Sequence, residues 1–165
     1  MSLQSGGDNG TLSPTQNLID VEMFQKLLDL ETQKALRLRY SISVLCVSVS
    51  ETPQGESPPL TRYVAEAMIR RLRATDVATV LSPSVVGILL VDAEIQSIRQ
   101  VFDRATETLR NRSVRLDQGE SRPTLRAGAV SFPGTVTNAS DLMRQAIALM
   151  GRASREGTVS VYLPD

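Results

Sequence analysis

The stretch from Asp76 to Asp92, DVATVLSPSVVGILLVD, constrains the fold more than any other part of the sequence. Two apolar, β-branched runs are separated only by Ser82-Pro83-Ser84, and these are residue types that favour tight turns. So short a link cannot carry the crossover connection that two parallel strands require. The stretch therefore predicts an antiparallel hairpin at residues 76–92.

The rest of the chain alternates between helix-like and strand-like patterns. Apolar residues recur at helical spacing in segments 18–38, 60–72, 95–109 and 142–153. Strand patterns occur at 41–49, 124–132 and 158–163. The polar stretch NRSVRLDQGESRP, residues 111–123, is interpreted as a loop. The resulting order, α-β-α-β-β-α-β-α-β, predicts an α+β fold in which helices flank one mixed, five-stranded sheet.

Domain organisation follows from composition. Residues 1–16, MSLQSGGDNGTLSPTQ, contain almost no apolar side chains and are predicted to be a flexible tail or linker. Residues 17–165 have the length and apolar content of one domain. No apolar run is long enough to cross a bilayer and no basic-then-apolar leader is present, so we expect a cytoplasmic domain without direct membrane insertion.

Charge and residue usage exclude several functions. The chain has 18 basic and 18 acidic residues, so no net charge draws it to nucleic acid. It contains no histidine, and Cys46, in an apolar strand, is its single cysteine and a predicted core residue. Disulfides, ordinary zinc sites and imidazole catalysis are therefore excluded. Carboxylates, arginines and backbone groups remain, and we predict neither a metal site nor a cofactor.

The end of the chain carries a specific resemblance. The segment AGAVSFPGTVTNASDLMRQAIALMGRASREG, residues 127–157, resembles the GGDEF domains of diguanylate cyclases in its strand, Phe-Pro turn, helix start and closing Ala-Leu-x-x-Ala pattern. The hairpin matches too, since the family has an Asp, then five residues, then its Gly-Gly-(Asp/Glu)-Glu-Phe turn, and Asp76 stands at the corresponding position here. The resemblance covers Leu18 to Tyr162. It implies a sheet related to adenylyl cyclases and ferredoxin-like folds, and signalling through cyclic di-GMP in bacteria.

The same resemblance implies that the catalytic groups are missing. The family turn is replaced by SPSVV, residues 82–86, in which Pro83 removes both backbone freedom and an amide donor. Serine or valine stands at the positions where the family has metal-binding carboxylates and a phosphate-contacting lysine: Ser48, Ser50, Ser84, Val85 and Ser154. The Asp-x-Leu-Thr motif falls at Ser13 to Gln16. A hydroxyl or isopropyl group does not replace a carboxylate on Mg²⁺, so we expect no enzyme activity.

One family motif is retained, the R-x-x-D of the product-binding inhibitory site, at Arg73 and Asp76. An Arg fork can donate to the O6/N7 edge of guanine, while a carboxylate accepts from its N1 and N2 hydrogens. The resemblance adds Arg104, with Arg99 behind it, as a further ligand-binding arginine. The alternative is that Arg73 and Asp76 form an ordinary surface ion pair, and that Asp103 neutralises Arg104.

Two main functional hypotheses remain open. In the first, the domain is a regulatory receptor for cyclic di-GMP. In the second, it is a ligand-free interaction module that forms a homodimer or pairs with another signalling domain, with Val85 and Val86 filling the former nucleotide site. A third, GTP binding without turnover, is weaker because the turn glycines and the lysine are absent.

Overall fold

The computed structural model describes residues 17–51, 57–110, 112–117, 119–156 and 161–164. The predicted tail, residues 1–16, lies outside these ranges. It includes Ser13 to Gln16, where the resemblance places the Asp-x-Leu-Thr motif. Four α-helices are described: α1 (Val21–Leu38), α2 (Pro58–Ile69), α3 (Ile98–Ala105) and α4 (Leu142–Glu156). Short 3₁₀ turns precede α3 at Ile95–Ser97 and α4 at Ala139–Asp141.

Seven β-strands complete the described elements: β1 (Ile42–Glu51), β2 (Val77–Ser82), β3 (Val85–Val91), β4 (Val114–Leu116), β5 (Gly119–Ser121), β6 (Pro123–Phe132) and β7 (Val161–Tyr162). Five form one sheet in the order β2-β3-β1-β6-β7. The pairs β2/β3, β3/β1 and β1/β6 are antiparallel, whereas β6/β7 is parallel. The predicted α+β class, the hairpin and the mixed five-stranded sheet are all confirmed.

The predicted loop at residues 111–123 was wrong in part. Strands β4 and β5 form a separate antiparallel hairpin within it, with Val114 opposite Ser121 and Leu116 opposite Gly119. Each strand has only three residues and exposes much of its surface, so the alternation of apolar and polar residues is too short to predict strands.

Helices cover both faces of the sheet. On one face, α2 and α3 pack against β1, β3 and β6 around Leu45, Leu60, Met68 and Phe102. On the other, α1 and α4 pack around a second cluster that contains Phe24 and Cys46. Alternate β1 residues point to opposite faces of the sheet, and both faces are covered by helices, which explains why seven of the ten residues in β1 are buried.

Residue types account for the helix boundaries. Asp20 caps α1 by accepting from the Met23 amide at 2.8 Å, and Arg39 ends the helix in a left-handed conformation. Ser57 caps α2, which begins with two prolines at positions where a missing N–H costs nothing. Within the described ranges, we find no helix whose length and apolar content suit a bilayer crossing.

Candidate functional site

A pocket of about 460 Å³ lies between the end of α2, the end of β3 and α3. Its walls include the three predicted ligand-binding residues, Arg73, Asp76 and Arg104, and two exposed acids, Asp92 and Glu94. These three residues, predicted from the resemblance, lie up to 31 positions apart in the sequence (104 − 73). The structure therefore brings the predicted set into a single concave surface that carries both signs of charge.

Asp76 is buried beneath this pocket, with 1% of the residue exposed. Its Oδ2 accepts from the Arg73 amide at 3.1 Å, and its Oδ1 accepts from the Val91 amide at 3.0 Å. Burial raises the pKa of the Asp76 carboxyl, although both amides and the Arg73 guanidinium act in the opposite direction. The carboxylate thus joins the 73–76 turn to the end of β3, and each oxygen keeps a second lone pair.

Arg73 lies along the pocket wall with about half of its side chain exposed, 54%. Its Nη2 donates to the carbonyl of Val91 and, at 3.4 Å, to that of Asp92. Its Nε lies 3.6 Å from Oδ2 of Asp76, an ion pair rather than a well-formed hydrogen bond. These contacts orient the guanidinium plane and leave Nη1 without a partner among the described residues.

Arg104 is the other exposed cation of the pocket, and its guanidinium contacts no partner in the described part of the chain. Asp103 forms an ion pair with Arg110 at 2.9 Å, and among the described residues no ion pair joins it to Arg104. Arg99 points elsewhere and donates to the carbonyl of Val161 in β7 at 3.1 Å. The described structure therefore places a cation with unused donors at the pocket, and that cation is Arg104 rather than Arg99.

Arg71 holds the two helices of the pocket together. Its Nε donates to the backbone carbonyl of Arg104 at 2.7 Å, and its Nη2 binds Glu107 at 2.8 Å. In the sequence, Arg71 is one of several arginines that follow α2, with Arg70 and Arg73 beside it. Its partners lie 33 and 36 residues further along the chain, and no local pattern indicates such a contact.

Two of the positions at which the resemblance implies missing catalytic groups, Ser48 and Ser154, lie close together. The hydroxyls of Ser48 in β1 and Ser154 in α4 lie 2.9 Å apart and share a hydrogen bond. Ser48 is also the β1 partner of Val85 in β3. The space between these groups is therefore bounded by two small hydroxyls and an apolar side chain.

The hairpin turn contains no glycine, and hydrogen bonds to two of its carbonyl groups hold it in place. The carbonyl of Ser84 accepts from the Val49 amide at 2.8 Å, and that of Pro83 accepts from the Thr61 hydroxyl at 2.7 Å. Val86, immediately after the turn, is fully buried. The described residues contain no group of three or more acidic, Cys or His side chains placed to hold a metal ion. The hydroxyls of Ser48 and Ser84 and the apolar side chain of Val85 do not fit the Mg²⁺ of a phosphoryl-transfer site, which requires carboxylate oxygens.

Comparison with known proteins identifies the fold. No protein-family model matches the sequence, and no match is found among curated proteins. Solved structures do match. One is the GGDEF domain of YfiN from Pseudomonas aeruginosa, with a TM-score of 0.78, 18% identity, and coverage of 90% of this chain and 97% of that one. Another is the FimX GGDEF domain from the same organism, with a TM-score of 0.77, 19% identity, and coverage of 92% of this chain and 98% of that one.

A third match is the GGDEF domain of DgcB from Caulobacter crescentus in complex with c-di-GMP (TM-score 0.74, 14% identity, 97% of this chain and 98% of that one). Identities this low establish architecture and leave the ligand and the reaction open. The agreement covers nearly the whole of each chain. The protein described here therefore has the GGDEF-domain fold.

Proposed function

We propose that this chain is a cytoplasmic, regulatory GGDEF-like domain of bacterial cyclic di-GMP signalling that binds cyclic di-GMP and has no cyclase activity. The observation that carries the proposal is the convergence of Arg73, Asp76 and Arg104 on one pocket. A GGDEF domain of the same fold, that of DgcB, was solved in complex with c-di-GMP.

The chemistry of the pocket suits such a ligand. The Nη1 group of Arg73 offers donors to the O6/N7 edge of guanine, and Arg104 offers a charge for the phosphodiester. Acceptors for the N1 and N2 hydrogens come from Asp76, whose oxygens keep one lone pair each. A ligand must enter the pocket deeply to reach Asp76, because its side chain is only 2% exposed.

Cyclase activity requires groups that this chain lacks. Phosphoryl transfer depends on metal ions and cations that position the phosphates and neutralise developing charge. Ser48, Ser84 and Val85 supply no carboxylate, and Ser154 supplies no cation. GTP and Mg²⁺ incubated with the purified chain should yield no cyclic di-GMP by nucleotide chromatography, and any yield above the protein-free blank would contradict this part of the proposal.

Calorimetric titration of cyclic di-GMP tests the binding proposal. Wild type should bind in the micromolar range or tighter, and Arg73→Ala or Arg104→Ala should weaken binding more than about 20-fold, because charge-assisted hydrogen bonds are lost. Arg73→Lys should also weaken binding, since it keeps the charge and loses the fork. Arg62→Ala is the matched control, as Arg62 pairs with Glu66 on the surface of α2.

A wild-type chain that gives no heat with cyclic di-GMP would refute the receptor proposal. GTP should give no heat either, and tight GTP binding would show that our interpretation of the turn is wrong. Equal loss of binding in Arg62→Ala and Arg104→Ala would indicate a nonspecific charge effect rather than a site.

One observation favours the interaction module as a second candidate. Helix α1 exposes five large apolar side chains with 43% to 63% of each residue accessible: Val21, Met23, Leu30, Leu36 and Leu38. Sedimentation of the full chain should then show a dimer. The double variant that combines Leu36→Glu and Leu38→Glu should sediment as a monomer. Ile147→Glu, on the exposed face of α4, is the control. A monomeric wild-type chain would exclude a homodimer.

A further inference from the structure

We propose that Asn17 positions the 73–76 turn in the pocket lined by Arg73, Asp76 and Arg104. The identity of the ligand in this inference rests on the proposed function. The side-chain amide of Asn17 donates twice, to the carbonyls of Ala74 and Asp76, both at 3.0 Å. These carbonyls belong to the turn that carries the R-x-x-D motif. Both hydrogens of one amide group are thus used to hold a turn that lies 57 and 59 residues further along the chain.

Besides the Asn17 contacts, the turn is held by the Arg73 and Asp76 side chains, which bind the end of β3, and by two hydrogen bonds of its own. Within it, the Asp76 amide donates to the Arg73 carbonyl at 3.0 Å and the Arg73 amide to the Asp76 carboxylate at 3.1 Å. Asn17 adds two hydrogen bonds to this turn from a residue that lies outside it in the sequence. Removing its amide leaves two carbonyls to water and allows the backbone of Arg73, and so its guanidinium, to shift.

The two residues after Asn17 join it to strand β2. Leu18 forms a parallel bridge with Ala78, and the Ile19 amide donates to the Ala78 carbonyl at 2.9 Å. Asp20 then caps α1. A displacement of residues 17–20 is therefore expected to change the pocket, and a ligand in the pocket is expected to stabilise these residues.

The test combines ligand binding with residue-resolved amide hydrogen exchange of the full chain. In Asn17→Ala without ligand, exchange should accelerate at the amides of Arg73 and Asp76, and the central β1 amide of Leu45 should keep its wild-type rate. Titration of cyclic di-GMP should show affinity weakened about fivefold, the factor expected from lost net hydrogen bonding. Asp20→Ala, which removes the neighbouring helix cap, should leave the exchange at Arg73 unchanged.

Unchanged exchange at Arg73 and Asp76 in Asn17→Ala would overturn the proposal. So would equal acceleration at Leu45, because that pattern indicates global destabilisation only. Absence of cyclic di-GMP binding in wild type would refute the receptor function, and the ligand-free exchange would still decide whether Asn17 positions the turn. Asn17→Asp should show the same faster exchange and weaker affinity as Asn17→Ala, since a carboxylate has no donor for the two carbonyls.

Discussion

Replacement of Gly128 by alanine should be among the most damaging single-methyl changes in this domain. Gly128 lies in β6, and a Cβ atom there would lie 2.2 Å from the Met150 nitrogen, 2.5 Å from the Ala146 oxygen and 2.6 Å from the Leu149 carbonyl carbon. All three are backbone atoms of α4, which cannot rotate away as a flexible side chain would. Helix α4 must therefore move off the sheet to accommodate the methyl group.

The cost follows from that displacement. Extra methylenes in a packed core usually cost about 1–3 kcal/mol, and sometimes more. Because the three nearest atoms are all backbone atoms, we expect about 3 kcal/mol or more, a large fraction of the roughly 5–15 kcal/mol by which domains are stable. Urea unfolding followed by circular dichroism should show a lower midpoint with the m-value kept.

Gly151→Ala provides the matched control in the same helix. Its Cβ would meet only Nη1 of Arg155, the end of a flexible side chain, at 3.3 Å. Alanine is favoured over glycine within helices by about 1 kcal/mol, so this variant should be as stable as wild type or more stable. A Gly128→Ala variant within about 1 kcal/mol of wild type would refute the inferred close approach of α4 to β6.

Three further predictions concern buried and titrating groups. Burial raises the pKa of the Cys46 thiol to about 12, so a disulfide reagent at pH 8 should label it only after unfolding. Burial and Glu31 raise the pKa of Tyr40 to about 12. The raised pKa stabilises the folded state fully below pH 10, and this contribution is lost as the pH rises towards 12. Ultraviolet titration of the wild-type chain should show one tyrosine that ionises later than the others, and Tyr40→Phe should lack it. Ser43→Ala should cost about 2 kcal/mol in urea unfolding, because it leaves the buried Ser131 hydroxyl without its partner at 2.5 Å.

Local patterns predicted those parts of the fold that local chemistry decides. The Ser82-Pro83-Ser84 link forces a hairpin, and apolar spacing gave the four helices with ends within a few residues. The β4/β5 hairpin was not predictable in this way, since three-residue strands carry too little alternation. Which strands are neighbours in the sheet was not predicted, because β1 lies between β3 and β6 through contacts far apart in sequence.

The candidate site shows the same limit. Its three residues could be named from the resemblance, but the partners of each could not. The carboxylate of Asp76 binds the amide of Val91, 15 residues away, and Ser48 meets Ser154 across 106 residues. Such pairs depend on how α4 and the hairpin pack on the sheet, and neither helical nor strand periodicity records that packing.

Arg104, more than the R-x-x-D motif, distinguishes a ligand site from a fold that merely keeps its shape. The buried Asp76 accepts two backbone amides, and Arg73 donates to two backbone carbonyls, so the fold gives both residues a reason to be present without any ligand. The unpaired guanidinium of Arg104 has no such role among the described contacts, although Arg71 fixes the backbone that carries it. If Arg104→Ala lowers affinity for cyclic di-GMP and leaves the unfolding midpoint unchanged, the pocket is a receptor site. If Arg104→Ala changes neither, the motif is explained by structure alone.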